Sequence, residues 1–81
     1  MSLERAAMRG KLVDAQLRQK KLTLRIEGNC TAIRTGLNTM LTPVRDLEVP
    51  QLAEQMDDLV NAWGELQATI SEISRLEREL A

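Results

Sequence analysis

From residue 50 onward the apolar side chains keep a helical beat. Leu52, Met56, Leu59, Trp63, Leu66, Ile70, Ile73 and Leu80 are spaced 4, 3, 4, 3, 4, 3 and 7, and only Glu77 interrupts the series. That is the heptad seam of a helix that packs along a partner helix. Its flanks, Ala53, Val60, Ala62, Gln67, Thr69, Ser74 and Leu76, are small or apolar, while Asp58, Glu65, Glu72 and Glu79 form one acidic column further round. The expected buried face is therefore wider than a two-residue seam, a pattern suited to a helix bundle.

The first half carries a matching seam: Met8, Leu12, Ala15, Gln19, Leu22, Ile26, Cys30, Ile33, Leu37 and Met40. Two successive steps of four, at Ile26–Cys30, predict a stutter in the supercoil. Gly10, Gly28 and Gly36 each lower helix propensity by ~1 kcal/mol relative to Ala, so the two helices are expected to support each other. Both prolines fall between them. Proline disfavours the helical region for the residue before it and suits the first turn of a helix, so Pro43 and Pro50 bracket the bend. The expected architecture is all-α: a single unit over 1–81, an antiparallel, coiled-coil-like two-helix hairpin with helix one at about 3–41, a turn at about 42–49 and helix two at about 50–80. Folding at that turn sets Met40 against Leu52 and Cys30 beside Trp63, buries Met8, Met40, Met56 and Trp63 in the seam, and leaves residues 1–10 overhanging. Gln19 and Glu77 become polar positions within the seam.

Charge divides between the halves. Residues 1–41 hold eight basic and three acidic side chains; residues 42–81 hold three basic and nine acidic, for a net −1 overall. An antiparallel hairpin lays the basic helix along the acidic one, and like charge disfavours parallel pairing of either with itself. The chain has 81 residues and an aromatic content of 1%, so its core must be aliphatic and thin. One cysteine and no histidine exclude an internal disulfide and leave no zinc set. A small domain without such staples gains stability by association.

Two surfaces remain as candidates. A second apolar ridge on helix one, Leu3, Ala6, Gly10, Val13, Leu17 and Leu24, lies roughly opposite the seam. Together with Val60 and Leu76 of helix two it predicts self-association: Val13, Leu17, Leu24, Val60 and Leu76 would face a second hairpin in a four-helix bundle. The basic stretch Arg9, Lys11, Arg18, Lys20, Lys21 and Arg25, offset only by Asp14, is the alternative, a face for nucleic-acid phosphates. Catalysis has no candidate residues: no histidine, no base beside the lone thiol, no phosphate-binding glycine loop. No catalytic, cofactor or metal site is expected, and Cys30 reads as a small core residue. No run approaches the ~18 apolar residues of a membrane span, and Met1-Ser2-Leu3-Glu4-Arg5 does not resemble a secretory signal, so the expected location is the cytoplasm.

Two segments carry a resemblance: Leu37-Asn38-Thr39-Met40-Leu41-Thr42-Pro43-Val44, and Gln55-Met56-Asp57-Asp58-Leu59-Val60-Asn61-Ala62-Trp63-Gly64-Glu65-Leu66. They are similar to short helical-hairpin proteins encoded by transposable, Mu-like bacterial prophages, a group without an established activity. The resemblance implies a phage accessory protein in a bacterial cytoplasm and transfers no site residues. In architecture alone the hairpin also resembles the small RNA-binding hairpins of plasmid copy control, which dimerise into four-helix bundles; that is an analogy of fold.

Overall fold

Helix one is started by a side chain and stopped by another. In the computed structural model, which describes residues 2–81, α1 runs Leu3–Gly36. The Ser2 hydroxyl accepts from the backbone N–H groups of Glu4 and Arg5 at 3.2 and 3.4 Å, satisfying donors that the first turn leaves free. The helix ends at Gly36, short of the expected end at 41. The reason is Asn38. Its side-chain oxygen accepts from the Met40 N–H at 3.0 Å, and its carbonyl takes the N–H groups of Leu41 and Thr42. A short amide side chain that bonds its own neighbours offers the backbone a turn in place of a further helical turn, and the preceding glycine resists it least.

Residues 37–48 form the bend, with one 3-10 turn at Val44–Asp46 closed by the Asp46 N–H on the Pro43 carbonyl at 2.9 Å. Helix α2 runs Val49–Leu80 with Pro50 in its first turn, as the proline pattern predicts. Among the described residues there is no strand. The protein is an all-α antiparallel hairpin, a rod of 64 × 16 × 15 Å.

The seam differs from the expected one in register, rotation and periodicity. The earlier end of α1 draws the two helices together one turn sooner. Leu52 lies against Gly36, where the longer helix would have set it against Met40. At the open end the Arg5 guanidinium donates to the Leu80 carbonyl at 2.8 Å, so the first residues of α1 sit level with the end of α2 and do not overhang it.

On α2 the inward positions are Leu52, Gln55, Leu59, Ala62, Leu66, Thr69, Ile73, Leu76 and Leu80. The column 52, 59, 66, 73, 80 is the expected one; the alternate column is 55, 62, 69, 76 in place of 56, 63, 70, 77. Met56, Trp63 and Ile70 thereby turn outward, and Trp63 is 57% exposed. On α1 the beat continues from Ile26 to Asn29, Ile33 and Gly36 without a stutter, and Cys30 sits partly buried at the edge.

Two helices alone make a narrow contact, so small side chains along the seam let the backbones approach. Ala15 and Ala62 are both fully enclosed. The expected rotation would have forced the indole of Trp63 between the rods and drawn Glu77 inward; the observed one avoids both. The buried polar groups are accommodated: the Thr69 hydroxyl donates to the Glu65 carbonyl at 2.8 Å, and Asn29 reaches across to Asp58.

Candidate interaction surfaces

The rotation gives the hairpin two unlike flanks. In an antiparallel pair each side of the seam is walled by corresponding columns from the two helices. One flank brings the α1 column of Arg18 and Arg25 against the α2 column of Asp58, Glu65 and Glu72. Arg18 Nη1 lies 3.0 Å from Glu72 Oε2. Arg25 grips Asp58 with both arms, Nε donating to Oδ2 at 3.0 Å and Nη2 to Oδ1, and its Nη1 lies 3.9 Å from Glu65 Oε2. Asn29 Nδ2 donates to the same Asp58 Oδ2 at 2.6 Å. Arg25 and then Asn29, as donors to the carboxylate, hold the Asp58 pKa down to about 2, and Asp58 in turn raises that of Arg25. These side chains are still reached by solvent, where ion pairs add little stability; their consequence is orientation, since they favour one rotation of each helix.

Among the described residues the opposite flank has no such pairs. It carries Met56, Trp63 and Ile70 on α2, with Val60 beside them, and Gln16, Thr23 and Cys30 on α1. A shallow groove lined by Gln16, Gln19, Lys20, Thr23 and Leu24 runs along its α1 side. Between Leu59 and Ser71 the only charged residue of α2 is Glu65, which belongs to the ion-paired flank. The outer surface of this stretch is therefore uncharged, and Gly64, next to Trp63, has open space on its side-chain face.

Of the residues expected to mediate self-association, Val13, Leu17, Leu24 and Val60 are exposed. Leu76 is not: at 1% exposure it is the most enclosed large side chain of the hairpin's own seam and has no surface to offer a second copy. The shift of the alternate column by one residue accounts for this, since it turns Leu76 inward as it turns Glu77 out. Sequence reasoning missed Met56, Trp63 and Ile70 as surface residues because it had assigned them to the core. The width of the apolar arc on helix two was the available signal, because an arc that wide contains more residues than one partner helix can cover.

The basic stretch is divided. Arg18 and Arg25 are engaged across the hairpin, whereas among the described residues Arg9, Lys11, Lys20 and Lys21 make no ion pair. These four do not share one column: their numbering places them on several sides of α1. Among the described residues no helix is long and apolar enough to cross a membrane.

No protein-family model matches the chain, nor does any curated protein or solved structure.

Proposed function

We propose that the protein acts by association: a non-enzymatic helical hairpin, part of whose exposed apolar surface is covered by a second copy, giving a four-helix bundle that serves as an interaction or structural module. The observation that carries this reading is surface area. A folded monomer of 9.1 kDa is expected to expose about 4,900 Å². The hairpin exposes 6221 Å². The excess, about 1,300 Å², is larger than the ~800 Å² that one partner contributes to a standard interface. A thin rod inevitably exposes more than a sphere, but here the exposed residues include Val13, Leu17, Leu24, Met56, Val60 and Trp63. Exposed apolar side chains on this scale mark a surface made for contact.

Sedimentation equilibrium at high micromolar concentration tests the proposal. A dimer mass is expected, and a monomer mass overturns it. Nucleic-acid binding through Arg9, Lys11, Lys20 and Lys21 is the second reading, favoured only by the lack of acidic partners for those four among the described residues. A mobility-shift series with rising salt separates the two, because phosphate contacts weaken steeply with salt and apolar assembly does not. A shift at low salt that is lost in Lys20→Glu/Lys21→Glu would favour the second reading; no shift removes it. The role of a phage accessory protein belongs to the proposal only through the resemblance of residues 37–44 and 55–66, and a gene neighbourhood without phage genes would remove it.

A further inference from the structure

The self-association reading leaves open which face meets which, and the distribution of charge narrows it. The flank of Arg18, Arg25, Asp58 and Glu72 is already closed by pairs across the hairpin. The outer ridge of α1 sets Leu17 and Leu24 beside Lys20 and Lys21, so two such ridges facing each other would bring like charges together. The outer face of α2 around Trp63 has neither obstacle.

We propose that the second copy docks on that face of α2, about a two-fold axis passing between Trp63 and Gly64, with the two α2 helices antiparallel. This rests on the self-association reading and specifies its interface.

Four features carry it. Met56 and Ile70 lie seven residues to either side of Trp63, so the axis sets Met56 against the partner's Ile70 at one end and repeats the contact at the other. Val60 and Gln67 are likewise balanced about the axis. Gly64 leaves a gap in the side-chain layer at the centre, where the partner backbone must come closest. Direction follows from the column of Met56, Trp63 and Ile70, which lies to one side of the axis. Only an antiparallel pair lays that column along its own copy; a parallel pair sets it against the polar column Asp57, Gly64 and Ser71. With its seam already filled by the alternating columns, α2 acquires the third buried column that distinguishes bundle helices from those of a simple coiled coil.

Spin-label distances test the geometry in the full chain, with Cys30→Ser as background. A label at Ser74→Cys lies about ten residues from the axis, and at ~1.5 Å per residue the two labels of an antiparallel dimer are about 30 Å apart. A separation below about 15 Å, the width of adjacent helices in register, means a parallel dimer and overturns the proposal. In the same background Gly64→Cys, beside the axis, should oxidise to a covalent dimer.

A pair of double variants identifies the face. Met56→Glu/Ile70→Glu should weaken dimerisation at least tenfold with the helical circular dichroism retained, and Leu17→Glu/Leu24→Glu should leave it within twofold. The reverse result assigns the interface to α1 and overturns the proposal. The Ser74 distance stands independently should the Met56→Glu/Ile70→Glu chain fail to fold. A wild-type monomer in sedimentation is a failure of the underlying reading, recognised by mass alone, whereas a dimer with the wrong distances or the wrong sensitive pair refutes only the interface.

Discussion

Two glycines of α1 predict opposite outcomes for the same substitution. At Gly28 the position a methyl group would occupy has no neighbour within 4 Å. Gly28→Ala therefore collects the helix-propensity gain of ~1 kcal/mol without a steric cost. For an 81-residue chain, an unfolding entropy of ~2.1 cal/mol/K per residue converts this to a rise in Tm of about 6 °C. At Gly36 the same methyl group would meet Leu52, whose Cγ and Cδ1 lie 3.2 Å from it and whose Cδ2 lies closer still. Leu52 must swing away from the seam, and the propensity gain is smaller at the last residue of a helix. We expect Gly36→Ala to range from no gain to a loss of ~1 kcal/mol, since overpacked contacts offset what the backbone gains. Urea and thermal unfolding followed by circular dichroism, at one fixed protein concentration, measure both. If Gly36→Ala stabilises as much as Gly28→Ala, the helices do not touch at Gly36, and the register that sets Leu52 there is refuted.

The rotation of α2 is tested by neighbours. Leu76→Ala should cost ~2–4 kcal/mol, as truncation of an enclosed leucine does, while Glu77→Ala should stay within ~0.5 kcal/mol; comparable losses would mean the helix is turned the other way. Trp63 reports on assembly: its fluorescence should lie at the long wavelengths of a wet indole at nanomolar concentration and move to shorter ones as the dimer forms, and a spectrum independent of concentration speaks against its burial by a second copy. Acid should unlatch the ion-paired flank. Asp58 falls from the ordinary 3.8 to about 2 in the fold, so the unfolded chain takes up the proton first. Its contribution is complete above pH 4 and is lost as pH falls through about 2, and Asp58→Asn should abolish that part of the acid sensitivity. Parallel declines of variant and wild type between pH 5 and 2, read from urea midpoints, would refute the assignment.

What could be read from the chain, and what could not, divides along a physical line. The column Leu52, Leu59, Leu66, Ile73, Leu80 was legible because each heptad offers one apolar residue there. The alternate column was ambiguous, for each heptad offers two candidates: Gln55 or Met56, Ala62 or Trp63, Thr69 or Ile70, Leu76 or Glu77. Hydrophobicity favours the second of each of the first three pairs. Contact between only two rods favours the smaller side chains, and the lateral ion pairs with Arg18 and Arg25 reinforce that choice. Asn29 was passed over for Cys30 for the same reason, since its burial depends on a carboxylate supplied by the other helix. Pro50 falls in the first turn of α2, but Pro43 lies within the bend and not at its start: Leu37 and Met40 extend the apolar beat past Gly36, and only the local bonding of Asn38 shows that the helix has already ended. Of the candidate contact surfaces, the exposed Val13, Leu17, Leu24 and Val60 were legible as outward residues. Trp63 was not, because a lone aromatic residue in a heptad is read as core by default.

The contact between Arg5 and the Leu80 carbonyl ties the beginning and the end of the chain to one pole of the rod, with the bend at the other. Anything tethered to either terminus would leave from that pole. Were two such rods to lie side by side in opposite directions, centred between Trp63 and Gly64, their attachment poles would be held about 50 Å apart by the helical rise alone. The molecule would then behave as a strut of fixed length, keeping two cargoes at a set separation.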